Sequence, residues 1–123
     1  MAEPRSILIV EDEPLIAMML EDFLESLGYS VHATCENLPD ALSKVEGGGF
    51  DLAILDVNLG GQTSWPVAHK LREKGIPFVI ATGGHVEPAP PEFANVPVIE
   101  KPYTVDRVTP ALEAALPAIS SGR

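Results

Sequence analysis

Three acids, a hydroxyl and an ammonium are the groups in this sequence best placed to do chemistry: Glu11 with Asp12, Asp56, Thr82, and Lys101 followed by Pro102. Each follows an apolar, largely β-branched run, at residues 7–10, 52–55, 78–81 and 98–99. Carboxylates brought close repel one another and hold their protons unless a cation sits among them. Hard oxygen donors with open positions suit Mg2+, which takes one or two carboxylates and keeps room for water and phosphate oxygens. A carboxylate beside such an ion can attack phosphorus and become an aspartyl phosphate. A lysine and a hydroxyl facing it would neutralise and hydrogen-bond the phosphoryl oxygens. Phosphoryl transfer asks little more of a protein than positioning and charge compensation.

The elements that must position these groups are legible from hydropathy. Continuous apolar runs read as strands buried on both faces of a parallel sheet. In an open parallel α/β sheet the strand C-termini share one edge, and the ligand crevice lies along it. Strand and helix alternate five times, the pattern of a doubly wound α/β domain. Helices are expected over residues 14–27, 37–45 and 64–74, with Pro14 and Pro66 in first turns and glycines at 28, 47–49 and 75 as stops. Strands are expected over residues 30–34, 77–81 and 96–100 besides those ending at Val10 and Asp56, with Gly60-Gly61 forming a flexible loop after Asp56. Residues 83–95 hold three prolines and two glycines, poor helix material, so the fourth helix should be short or irregular, near residues 91–94. Pro110 either kinks a helix begun at Thr104 or starts a new one capped by Thr109.

At 123 residues and 46% hydrophobic, the chain has the material for one compact core. A net charge of −10 argues against direct nucleic-acid binding, which needs a basic footprint. No run reaches the length of a membrane span and no signal-peptide pattern opens the chain, so a soluble, cytoplasmic protein is expected. Cys35 is the sole cysteine and reads as a packed thiol. His32, His69, Trp65 and Tyr103 read as structural or packing residues, and His85 as a loop histidine.

Singly, each site residue has a plainer reading; two acids opening a helix, for instance, simply suit its dipole. In this order and at these spacings, however, Glu11-Asp12, Asp56, Thr82 and Lys101-Pro102 resemble the CheY-like receiver domain of two-component response regulators, over about residues 6–118. The resemblance implies a flavodoxin-like five-stranded parallel sheet of order 2-1-3-4-5, and a single receiver domain over residues 1–123 without an output domain. It assigns Asp56 as phosphoacceptor and Asp12 as a direct Mg2+ ligand, with Glu11 acting partly through water and Asp56 and the Asn58 carbonyl completing the protein's share. Thr82, the backbone N–H of Gly83 and Lys101 would hold the phosphoryl group, Asn58 would flank it, and the Lys101–Pro102 bond would be cis. The implied donor is a phosphohistidine on a sensor histidine kinase. The implied function is that of a stand-alone regulator that catalyses its own modification, is no classical enzyme, and signals or relays to a downstream phosphotransfer or regulatory protein. A Mg2+-dependent phosphohydrolase is disfavoured, because the second catalytic acid such enzymes place two residues on is here Asn58.

Two departures qualify the resemblance. Receivers carry an aromatic switch three residues before the lysine, where this chain has Val98; sensing would then work by ordering residues 83–95. The stretch Ile80-Ala81-Thr82-Gly83-Gly84-His85 resembles the single-domain FATGUY subclass, with Ile80 and His85 in place of its Phe and Tyr, which implies kinases of the HWE or HisKA2 type. The missing aromatic leaves open an alternative, a degenerate receiver acting as a phosphorylation-independent interaction module. Residues 15–20 are all apolar, more than one helix stripe needs. Leu15, Ile16 and Met19, with Pro102, are therefore candidates for kinase docking.

Overall fold

The computed structural model describes residues 5–82, 90–101 and 103–115. Five strands, β1 (Ser6–Val10), β2 (Ser30–Cys35), β3 (Leu52–Asp56), β6 (Phe78–Thr82) and β7 (Val98–Glu100), form one parallel sheet in the order β2-β1-β3-β6-β7. A two-residue-strand hairpin, β4 (Asn58–Leu59) with β5 (Gln62–Thr63), intervenes after β3, so the main sheet keeps the anticipated 2-1-3-4-5 order when its strands are counted alone. Among the described residues four helices flank it: α1 (Pro14–Ser26), α2 (Leu38–Gly47), α3 (Trp65–Glu73) and α4 (Val105–Ala115).

Alternate residues of each strand feed opposite cores, which is why the strands read as unbroken apolar runs. Leu8, Val10, Ala53, Leu55 and Ile80 pack with Ala41 and Val45 of α2 and Val67 and Leu71 of α3. Ile7, Ile9, Leu52, Ile54 and Val79 pack with Leu20 and Leu24 of α1 and Val108 and Leu112 of α4. Burial of the sheet on both faces leaves its carboxyl edge as the place where polar side chains collect.

Two readings need correction, and of the two alternatives for the last helix the one begun at Thr104 holds. The Gly60-Gly61 loop is the two-residue turn of the β4–β5 hairpin; both glycines have positive φ, +57° and +89°, as a type I′ turn requires. The last helix runs without a break through Pro110 from a Thr104 cap, whose Oγ1 accepts the Arg107 N–H at 3.3 Å. Thr109 caps nothing, since its hydroxyl is buried and makes no hydrogen bond. The fifth main strand is shorter than anticipated, beginning at Val98, because Pro97 has no N–H to give the ladder and the Val96 N–H turns back to the Phe93 carbonyl.

The irregular fourth helix is a single 3-10 turn, Pro91–Phe93. Its Phe93 is buried, stacked on Trp65 at 5.6 Å and edge-on to Phe78 at 5.8 Å, with the Arg72 guanidinium 4.9 Å above the ring. His69 meets the same ring at 5.0 Å and pairs with Glu92, so Trp65 and His69 are packing residues as anticipated. His32 lies against Phe50. Cys35 is buried, and burial pushes its thiol up to about 11, out of the reactive range. No described helix is long and apolar enough to cross a membrane.

Candidate functional site

Register places the chemistry. β1 and β3 are neighbours, with Val10 opposite Leu55, so Glu11 follows one strand where Asp56 ends the next. Asp56 pairs with Ala81 of β6 and Thr82 pairs with Glu100 of β7, which brings Lys101 to the same edge. The backbone N–H of Lys101 donates to the Thr82 carbonyl at 2.8 Å, tying those two residues together. Carboxylate oxygens of Glu11, Asp12 and Asp56 lie within 4.8 Å of one another.

The Lys101 ammonium sits between two of these acids, 2.8 Å from Glu11 Oε1 and 2.9 Å from Asp56 Oδ2. Glu11 has no solvent exposure and Asp56 only 5%. Asp56 Oδ1 accepts the Asn58 N–H at 3.3 Å, so both of its oxygens are oriented. Glu11 Oε2 accepts the Glu13 N–H at 3.1 Å. Asp12 Oδ2 accepts the Gly60 N–H at 2.8 Å, which ties the hairpin turn to the site.

One ammonium among three carboxylates leaves a surplus of negative charge. Burial holds the Glu11 carboxyl above the usual carboxylate range, with the Asp56 charge adding to that, although hydrogen bonding to Lys101 opposes both. Burial pulls the Lys101 ammonium down, but its bonds to Glu11 and Asp56 outweigh this and leave it raised. A tightly grouped set of hard oxygen donors, already gathered around a cation and still anionic overall, fits Mg2+. Glu11, Asp12 and Asp56 are the side chains that could hold it.

Of the residues singled out by sequence, the structure groups Glu11, Asp12, Asp56 and Lys101, with Thr82 and Asn58 at the ends of adjoining strands. Gly83, Gly84, His85 and Pro102 lie outside the described residues. On α1, Leu15 is 77% exposed, and Met18 and Met19 are also exposed, whereas Ile16 is half-buried against the core beneath. The apolar surface is therefore Leu15, Met18 and Met19, with Ile16 turned inward. Val98, three residues before Lys101, is 52% exposed.

Sequence reasoning missed one participant. Tyr103 is a core residue as anticipated, yet its hydroxyl reaches Glu11 Oε1 at 3.4 Å and its ring lies 5.7 Å from the Lys101 ammonium. Burial, and then the charges of Glu11 and Asp56, hold its phenol far above the ordinary range, so it is a neutral donor. The available signal was its place two residues after Lys101 at the carboxyl edge, since a buried tyrosine needs a partner for its hydroxyl.

Comparison with known proteins bears on this geometry. The model of the response regulator receiver domain matches residues 7–113. Among curated relatives, the sensory transduction protein LytR of Staphylococcus haemolyticus is 30% identical over 118 residues, covering 93% of this chain and 46% of that protein. The transcriptional regulatory protein PdtaR of Mycobacterium tuberculosis is 32% identical over 120 residues, covering 94% of this chain and 58% of that protein. The chain thus spans about half the length of these relatives. Among solved structures, SdrG from Sphingomonas melonis Fr1 is 54% identical with a TM-score of 0.83, covering 94% of this chain and 99% of that one. The BeF3-activated conformation of SdrG aligns with a TM-score of 0.77 at 55% identity, over 94% and 98% of the two chains. With the strand order, the acidic edge and a family match across most of its length in agreement, the chain belongs to the response regulator receiver domain family.

Proposed function

We propose that the chain is a two-component regulator that accepts a phosphoryl group on Asp56 from a sensor histidine kinase, in a Mg2+-dependent reaction. The observation that carries this reading is the Lys101 ammonium bonded to both Glu11 and Asp56 at the edge where Asp12 also arrives. A phosphoacceptor carboxylate needs its oxygens aimed and its charge compensated, and Asp56 has both.

In the reaction an Asp56 oxygen attacks phosphorus, the new P–O bond forming as the P–N bond to the donor imidazole breaks. The imidazole departs neutral after taking up a proton. Glu11, Asp12 and Asp56 are the residues that would hold Mg2+, which when bound would supply neutralisation of the phosphoryl oxygens. Lys101 turns from the carboxylates to a phosphoryl oxygen, and Thr82 with the backbone N–H of Gly83 donates to another. Hydrolysis of the acyl phosphate returns the carboxylate. The protein acts as a signalling regulator and its output is protein–protein contact, to a downstream phosphotransfer or regulatory protein. Leu15, Met18 and Met19 give the kinase an apolar surface on α1, next to the helix start that Asp12 precedes. The resemblance of residues 80–85 to the FATGUY stretch favours a kinase of the HWE or HisKA2 type.

The test is an amide NMR titration with Mg2+ and then beryllofluoride, on the native chain and on Asp56→Asn. Shifts around Asp56 and Thr82 that vanish in the variant are the expected result. Mg2+ binding with no response to beryllofluoride would point instead to a phosphorylation-independent interaction module.

A further inference from the structure

Glu11 has three donors, and they are unequal. Oε2 takes the Glu13 N–H at 3.1 Å. Oε1 is shared between the Lys101 ammonium at 2.8 Å and the Tyr103 hydroxyl at 3.4 Å. Hydroxyl donors ordinarily approach carboxylates to about 2.7 Å, so the phenol stands back while the ammonium holds the short bond. The ammonium is also the cation lying 5.7 Å from the ring of that same tyrosine. Lysine, carboxylate and phenol thus form one contact group in which a single acceptor atom has a primary and a waiting donor.

We propose that Tyr103 is a positioning residue that takes over Glu11 when Lys101 leaves it for the phosphoryl group. The inference rests on the phosphoacceptor reading of Asp56. Lys101 cannot keep full bonds to Glu11 while neutralising a phosphoryl group on Asp56. Glu11, with no solvent exposure, would then lose its ammonium partner. Removing one member of a buried, hydrogen-bonded charge pair is costly because the other is left uncompensated. A phenol closing to a normal hydrogen-bond distance removes much of that cost. Its neutrality matters as well: it steadies the carboxylate without placing a second positive charge beside the metal site. Packing alone does not account for the hydroxyl. A phenylalanine would fill the same core position, and burying a hydroxyl is unfavourable unless it has a partner.

Tyr103→Phe isolates the hydroxyl. Mg2+ affinity alone should change little, since Lys101 still attends Glu11 in that state. The apparent affinity for beryllofluoride in saturating Mg2+, read from the Asp56 and Thr82 amides, should fall about tenfold, the scale of one hydrogen bond to a buried charge. A packing defect would instead lower the melting temperature and weaken both binding steps equally. Equal loss in both, or no loss in either with the fold intact, overturns the proposal. A measurement on the native side chain makes the test independent of how the variant folds. With only two tyrosines in the chain, the 13Cζ resonance of Tyr103 is assignable by comparison with Tyr29→Phe. It should shift when beryllofluoride is added to the Mg2+-loaded protein, as the phenolic hydrogen bond shortens; an unmoved resonance overturns the proposal. If the native chain shows no beryllofluoride response at Asp56, the phosphoacceptor reading fails. If it responds while Tyr103 is indifferent, only the present inference fails.

Discussion

Between α2 and the end of α3, Glu46 lies 3.0 Å from Lys70 and 3.7 Å from Lys74, one anion between two cations. At the carboxyl edge of the sheet, Lys101 lies between Glu11 and Asp56, one cation between two anions. The two clusters are opposite in surplus charge and opposite in solvation, since the Glu46 side chain is 64% exposed and that of Glu11 is not exposed at all. Hydrogen bonding to Lys70, and the lysine charges, draw the Glu46 carboxyl below its usual range. Burial drives the Glu11 carboxyl above it, in spite of an ammonium at hydrogen-bond distance. Where water is present, a surplus cation makes an anion comfortable; where it is excluded, one ammonium does not satisfy two carboxylates. The first cluster is a surface decoration, screened and nearly free-standing. The second holds an unmet demand for positive charge, which is what a site for a divalent cation and a phosphoryl group needs.

The largest effect should come from Lys101→Met, which removes the cation that the buried cluster already has. Stability in the presence of EDTA should fall by about 3 kcal/mol, the low end for breaking a buried pair by deleting one partner. The same change should tighten Mg2+ binding about tenfold, because the remaining surplus of negative charge is larger and nearby charges couple strongly where water is excluded. Urea unfolding with and without Mg2+ reads both quantities. A variant as stable as the native chain, with unchanged Mg2+ affinity, would show that the buried surplus does not govern the site.

The contrast also explains what sequence could disclose. Glu11, Asp12, Asp56 and Lys101 were legible because each stands at or just past the carboxyl end of a strand, and a parallel sheet brings those ends to one edge whatever their separation in the chain. The strands themselves were legible because burial on both faces leaves no alternation, as in residues 52–55. The β4–β5 hairpin was not, since Gly60-Gly61 signals a turn, but two-residue strands on either side have too few residues to show a period. Nor was the continuity of α4 through Pro110, because a proline's missing N–H and its ring are local costs, while Val108, Ala111 and Leu112 bury their side chains on both sides of it. The Tyr103 hydroxyl escaped because hydropathy treats an aromatic ring and its polar tip as one residue. The direction of the Glu11 shift required the full three-dimensional count of burial against charge.

Glu11→Gln should have a smaller effect, and of opposite sign. A carboxyl whose folded pKa lies above its unfolded value of 4.5 binds its proton more tightly when folded. Its contribution to stability is fully present below pH 4.5 and is lost as pH rises through the raised value. The glutamine variant lacks this loss. In EDTA at pH 7 it should be more stable than the native chain, because one buried charge is removed while Lys101 keeps Asp56 as its partner. The difference between the two proteins should shrink as pH falls through the raised value towards 4.5 and stay constant below it. Denaturant melts at a series of pH values measure this. A native chain that gains stability relative to the variant as pH rises would reverse the sign and break the comparison on its buried side.

Glu46→Gln should have the smallest effect, with the pH sign reversed again. The Glu46 carboxyl is lowered, so its contribution is present above pH 4.5 and is lost as pH falls through the folded value. The native chain should therefore be marginally the more stable at pH 7, and the margin should close in acid. Salt separates the two clusters further. At about 1 M NaCl the Debye length is near 3 Å, so the Glu46 difference should disappear, while the Glu11 difference, set by burial, should persist. Thermal melts of both variants at low and high salt decide it. If salt erased both differences, Glu11 would be behaving as a solvated acid, and the demand for positive charge at the carboxyl edge would be a matter of surface electrostatics, with burial playing no part.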